Sequence, residues 1–73
     1  MARVNANNYT EVERLKAGGY EILVTQSPIS GMCRILLKPP WSKTYMRLVS
    51  GIPCYTIASI WAERLKEKIE NRL

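Results

Sequence analysis

The sequence predicts one α+β domain: a three-stranded antiparallel sheet with a long C-terminal helix packed on one face, in the order α-β-β-β-α. Three observations predict it. Ile57, Trp61, Leu65 and Ile69 form an i, i+4 apolar stripe in the last part of the chain. Three shorter stretches alternate apolar and polar residues between Pro- and Gly-bearing turns. A length of 73 residues allows a single small core.

Residues 1–7 are polar and read as a flexible arm. Residues 8–19 follow. Asn8 with Glu11, or Thr10 with Glu13, has capping-box spacing, and Tyr9, Val12 and Leu15 share one helical face. Gly18-Gly19 supplies a left-handed stop. A short first helix is predicted; at this length it must dock to be stable. Residues 20–25 are β-branched and aromatic, with Tyr20, Ile22 and Val24 on one face and Glu21, Leu23 and Thr25 on the other. Pro28 and Gly31 mark a turn.

Residues 32–38 form the second predicted strand. Cys33, Ile35 and Leu37 are its apolar face; Met32, Arg34, Leu36 and Lys38 are the other. Pro39-Pro40 ends it, since proline cannot donate to the ladder. Residues 44–49 are the third strand, with Met46 and Leu48 inward, and residues 50–53 break the sheet. The helix starts near Pro53 or Thr56. Ala58, Ile60 and Ala62 sit beside its stripe, with Trp61 as core, while Glu63, Lys66, Glu67 and Glu70 lie opposite. Arg64 and Lys68 flank the stripe and snorkel over it. Tyr9 and Tyr20 are expected to pack between first helix and sheet.

Composition narrows the function classes. The chain has no His and no Asp, and its six carboxylate side chains are all Glu. It lacks a proton shuttle near neutral pH and any nucleophile–base–orienter set, so it reads as a non-enzyme. Cys33 and Cys54 stand alone without a C-x-x-C pair; no familiar zinc set can be assembled, and two reduced, buried thiols are expected. No cofactor, metal or small-molecule substrate is implied. No apolar run reaches the roughly 20 residues of a membrane span, and the first residues lack the apolar core of a secretory signal, so a cytoplasmic monomer is expected.

The net charge is +5, and its placement is uneven. No acidic residue occurs between Ile22 and Ala62, a stretch that holds Arg34, Lys38, Lys43 and Arg47. Elsewhere seven bases face six Glu. The connection around Pro39-Pro40 therefore interleaves bases with Trp41 and Tyr45. Lys38, Lys43 and Arg47 suit phosphates or an acidic protein patch. Trp41 and Tyr45 suit stacking or a partner's pocket. Arg34, Lys38, Trp41, Lys43, Tyr45 and Arg47 form the candidate binding set. The competing structural reading makes the bases solvated strand gatekeepers and Trp41 a lid on the core.

The predicted α-β-β-β-α order resembles the double-stranded-RNA-binding domains. Their second helix opens on a lysine-rich phosphate motif, whereas residues 51–59 here contain no lysine. Residues 20–73 resemble the arm-binding domains of phage integrases, which imply a groove-reading sheet carrying Arg34, Lys38, Lys43 and Arg47. In size, basicity and lack of catalytic features the whole chain resembles the small lytic-bacteriophage regulators of host RNA polymerase. That resemblance implies occlusion of a polymerase surface, inhibiting initiation or promoting antitermination. The alternative expectation is direct DNA or RNA binding by the basic strand face.

Overall fold

The computed structural model describes residues 9–72, so the predicted arm lies outside the described residues. Strands β1 (Thr10–Ala17), β2 (Tyr20–Gln26), β3 (Cys33–Lys38) and β4 (Met46–Ile52) form an antiparallel meander in the order β1-β2-β3-β4. Helix α1 (Tyr55–Asn71) packs on one face, more over β1 and β2 than over β3 and β4. The class is α+β, but with four strands; the segment expected as a first helix is β1. The α-β-β-β-α order behind the RNA-binding-domain resemblance is therefore not the order of this chain.

The glycine pair explains the correction. Gly18 and Gly19 have φ of 55° and 87° and join Ala17 to its partner Tyr20. A two-residue hairpin turn needs two left-handed residues, so the pair that could stop a helix instead starts a hairpin. Alternation then governs β1. Leu15 packs against the core and Ala17 is buried, while Arg14 and Lys16 pair with Leu23 and Glu21 on the face turned away from α1, which no other described helix or strand covers. Val12 falls at a bulge between Glu11 and Glu13 and is exposed, so its helical spacing with Tyr9 and Leu15 has no structural consequence. An isolated helix of this length gains little, whereas pairing along all of β2 supplies a full ladder.

A second correction concerns β4. The strand continues through Ile52, which is buried, where residues 50–53 were expected to break the sheet. Its partners run Cys33↔Ile52, Ile35↔Val49 and Leu36↔Arg47, so β4 holds two extra residues relative to β3. One slip accompanies Gly51, at φ 73°. Each extra residue re-phases the faces that follow. Val49 and Ile52 join the core, while Leu48, expected inward, is exposed. Met46 shares the helix-side face with Leu37 yet stays 51% exposed, because α1 lies toward the other edge.

Ile22, Val24, Cys33, Ile35 and Ile52 meet Ala58 and Ala62 in the core, flanked by Leu15, Leu37, Val49, Ile57, Leu65 and Ile69. Burying each large aliphatic side chain stabilises the fold by roughly 1.5–3 kcal/mol. Small residues at 58 and 62 let the helix backbone approach the sheet closely. Trp61 cannot occupy that line of closest approach; it lies on the helix flank, 46% exposed, and is not core. Cys33 is buried as expected, but Cys54, at the N-cap of α1, is exposed. Burial holds the Cys33 thiol above its ordinary pKa, with a smaller contribution from Cys54.

Candidate binding surface

The connection between β3 and β4 straddles one end of the sheet. Pro39 is buried, and a side chain on Gly19 would meet Pro40 at 3.0 Å, so the β1–β2 turn and the prolines are in close contact. Trp41 follows, its ring edge-on to Tyr20 at 5.8 Å between centroids. It is 77% exposed. The loop is tied internally: the Ser42 N–H donates to the Pro39 carbonyl at 3.1 Å, and the Thr44 N–H donates to Ser42 Oγ at 3.1 Å.

Tyr45 lies on the opposite, uncovered face of the sheet. Its hydroxyl donates to Glu21 Oε1 at 2.6 Å and accepts from Arg14 Nη1 at 2.9 Å. Arg14 also pairs with Glu21 at 2.7 Å and with Glu11 at 3.0 Å. Tyr45's hydrogen bond is the main cause holding the Glu21 carboxyl below its ordinary pKa, helped by the charges of Arg14, Lys38 and Lys16. Arg14 depresses Glu11 in the same way, chiefly through its hydrogen bond. Tyr45's own pKa is raised, because its proton is held by Glu21.

Arg34 is half-buried with its guanidinium 3.7 Å from the centre of the Tyr9 ring. This cation–π contact places Tyr9 over the uncovered face, where a place between a first helix and the sheet was expected. Lys38 pairs with Glu21 across β2 and β3, and the exposed Arg47 pairs with Leu36. Four of the six predicted residues (Arg34, Lys38, Tyr45 and Arg47) thus belong to one face. Trp41 turns to the other, and Lys43 is exposed in the loop between them.

Trp41's neighbour Tyr20 lines a pocket of about 350 Å³ with Leu37, Leu65, Lys68, Ile69 and Arg72. None of its six lining residues belongs to the predicted binding set, and Tyr20 was expected only to pack between a first helix and the sheet. One signal for it exists in the sequence: Arg64, Lys68 and Arg72 repeat every four residues and so line one flank of α1. Among the described residues, no group of three or more His, Cys, Asp or Glu side chains could hold a metal ion. No described helix is long and apolar enough to cross a membrane. No protein family, curated protein or solved structure matches the chain.

Proposed function

We propose that the chain is a small phage-type transcription regulator that binds host RNA polymerase by protein–protein contact, without chemistry of its own. It would inhibit initiation or promote antitermination by occupying a polymerase surface. The choice of polymerase comes from the resemblance in size and character. The observation that carries a protein-binding role is Trp41, an indole that folding leaves 77% exposed on a proline-stiffened, internally bonded loop. A large aromatic held rigid and unburied suits an interface anchor, because little freedom is lost when it docks.

The test is capture from bacterial lysate with the tagged chain. Polymerase subunits are expected with the natural sequence, and Trp41→Ala should weaken their retention by roughly 30-fold, as for an anchor of about 2 kcal/mol. Capture of no polymerase subunit would overturn the reading.

One observation favours a second reading, direct binding of DNA or RNA. Lys16, Arg34, Lys38 and Arg47 share the uncovered face with two carboxylates, Glu11 and Glu21. Phosphate-dominated affinity falls steeply with salt, whereas an aromatic-anchored protein contact falls much less. Titration of a labelled duplex and single strand at two salt concentrations separates the two readings. No binding at low salt removes this one.

A further inference from the structure

The helix sorts its charges by flank. Glu63, Glu67 and Glu70 fall on its back, with Lys66 reaching Glu70 at 3.9 Å. Arg64, Lys68 and Arg72 fall on one side, in a row spaced by four residues. Tyr55, on the opposite flank, donates a hydrogen bond to Glu13 of β1 at 3.0 Å. The basic flank, which Trp61 shares, therefore faces the β3–β4 half of the sheet. None of the three bases forms an ion pair among the described residues. Like charges at this spacing repel by a few tenths of a kcal/mol per pair. The negative end of the helix dipole favours cations in the last turn, but that accounts for Lys68 and Arg72 and not for Arg64.

Opposite this row, α1 leaves the Leu37–Met46 end of β3 and β4 incompletely covered. Leu37 and Met46 pair across those strands on the helix side, and Met46 is half exposed. Tyr20, Leu37, Leu65 and Ile69 give the apolar walls of a pocket of about 350 Å³ beside the last turns of the helix, here called the trough, with Trp41 against its Tyr20 edge. No acidic residue lies between Ile22 and Ala62, so neither β3, β4 nor the first turns of α1 supply a carboxylate to this trough. Apolar walls and a rim carrying Lys68 and Arg72 define a complementary occupant.

We propose that this trough docks an acidic amphipathic segment of a protein partner. Its apolar side chains enter beside Leu37, Leu65 and Ile69, and its carboxylates meet Lys68 and Arg72, with Arg64 one turn further along the same flank. A bare phosphate backbone would satisfy the rim but leave the apolar walls unused. The proposal rests on the reading above only in taking the partner to be a protein; it does not depend on polymerase.

The probe is an 18-residue capped peptide with Leu or Phe on one helical face and Glu on the other, titrated into the isotope-labelled chain and followed by backbone NMR shifts. Saturable shifts are expected around Tyr20, Leu37, Leu65 and Ile69. Affinity should fall at least tenfold in the double variant Lys68→Gln, Arg72→Gln, whose unbound spectrum reports an intact fold. Lys66→Gln, which removes one charge from the opposite flank of the helix, should bind as the natural chain does. Absence of saturable shifts overturns the proposal. So does equal binding of a control peptide with Ser for Leu and Phe, or of one with Lys for Glu. Displacement of the peptide by a DNA duplex that shifts the same residues assigns the trough to nucleic acid instead. Peptide binding without polymerase capture retires polymerase and keeps the trough. Polymerase capture unchanged by the double variant, with no peptide binding, does the reverse.

Discussion

The two faces of the sheet are held in different ways. On the helix-covered face, Ile22, Val24, Cys33 and Ile52 are shut from solvent against two alanines. On the uncovered face the contacts are polar: Arg14 bridges Glu11, Glu21 and Tyr45, and Arg34 stacks on Tyr9. Packing energy scales with buried area and is little affected by pH or salt, while the polar contacts are individually small and respond to both. The comparison also separates two kinds of base. Arg14 and Arg34 are engaged by neighbours within the chain, whereas Arg64, Lys68 and Arg72 have no ion-pair partner among the described residues. A positive residue count alone does not make that distinction.

Adjacent residues Ile22 and Leu23 give the strongest test of this contrast, because they point to opposite faces. Ile22→Ala removes side-chain atoms from the centre of the core and should destabilise the chain by about 2–5 kcal/mol. Total stability for this length is on the order of 5 kcal/mol, so that variant should keep only about 0–3 kcal/mol and unfold at a much lower urea concentration. Leu23→Ala, on a half-buried position, should lose about 1 kcal/mol and stay folded. Urea denaturation followed by circular dichroism measures both. Equal losses would mean that the uncovered face is packed as heavily as the core.

The helix allows the same comparison over one residue. Ala62 is fully buried and Trp61 is half exposed. Ala62→Leu forces extra methylenes between helix and sheet and should cost about 1–3 kcal/mol. Trp61→Ala should cost less, although it removes the larger side chain. Reversed order in thermal melts would put Trp61 back in the core.

These positions also show what the sequence could convey. The alternation of Tyr20, Ile22 and Val24, the face shared by Cys33, Ile35 and Leu37, and the extent of α1 were all legible, because each repeats one period without interruption. β1 was not. Val12 at a bulge counterfeited a helical spacing, and a Gly-Gly pair is equally at home after a helix and within a hairpin. Bulges also hid the inward residues of β4, since a register slip is a property of two paired strands. At the surface, the acid-free stretch was visible, but not that the loop would divide Trp41 from Tyr45 across the sheet. The basic row on α1 was readable as spacing. Its significance depended on which strands lay opposite.

Gly19 couples the hairpin turn to the Trp41 loop. At φ 87°, with Pro40 at 3.0 Å from the position of an added Cβ, Gly19→Ala should cost about 1 kcal/mol in backbone strain. It should also displace the prolines and alter Trp41's packing on Tyr20. Trp61 fluoresces as well, so the signal is cleanest in a Trp61→Tyr background. A change in stability with unaltered Trp41 emission would show that turn and loop are independent.

The smallest expected effect belongs to the uncovered face. Tyr45→Phe removes one bond given to Glu21 and one received from Arg14; in so exposed a cluster the loss should be under about 1 kcal/mol. Its clearer signature is in titration. Glu11 and Glu21 have depressed folded pKa values, so their contribution is present above the ordinary glutamate value of about 4.3 and is lost as pH falls through the folded values. Tyr45 has the opposite sense: its contribution holds below its ordinary value of about 10 and is lost as pH rises through the raised one. Side-chain carboxyl NMR should find Glu21 titrating below the usual range in the natural chain and moving up in Tyr45→Phe, while Glu11 stays depressed by Arg14. If both glutamates moved together, Tyr45 would be orienting Arg14, and the uncovered face would behave as one cooperative unit. If only Glu21 moves, its contacts act pair by pair, in contrast to the collective packing beneath the helix.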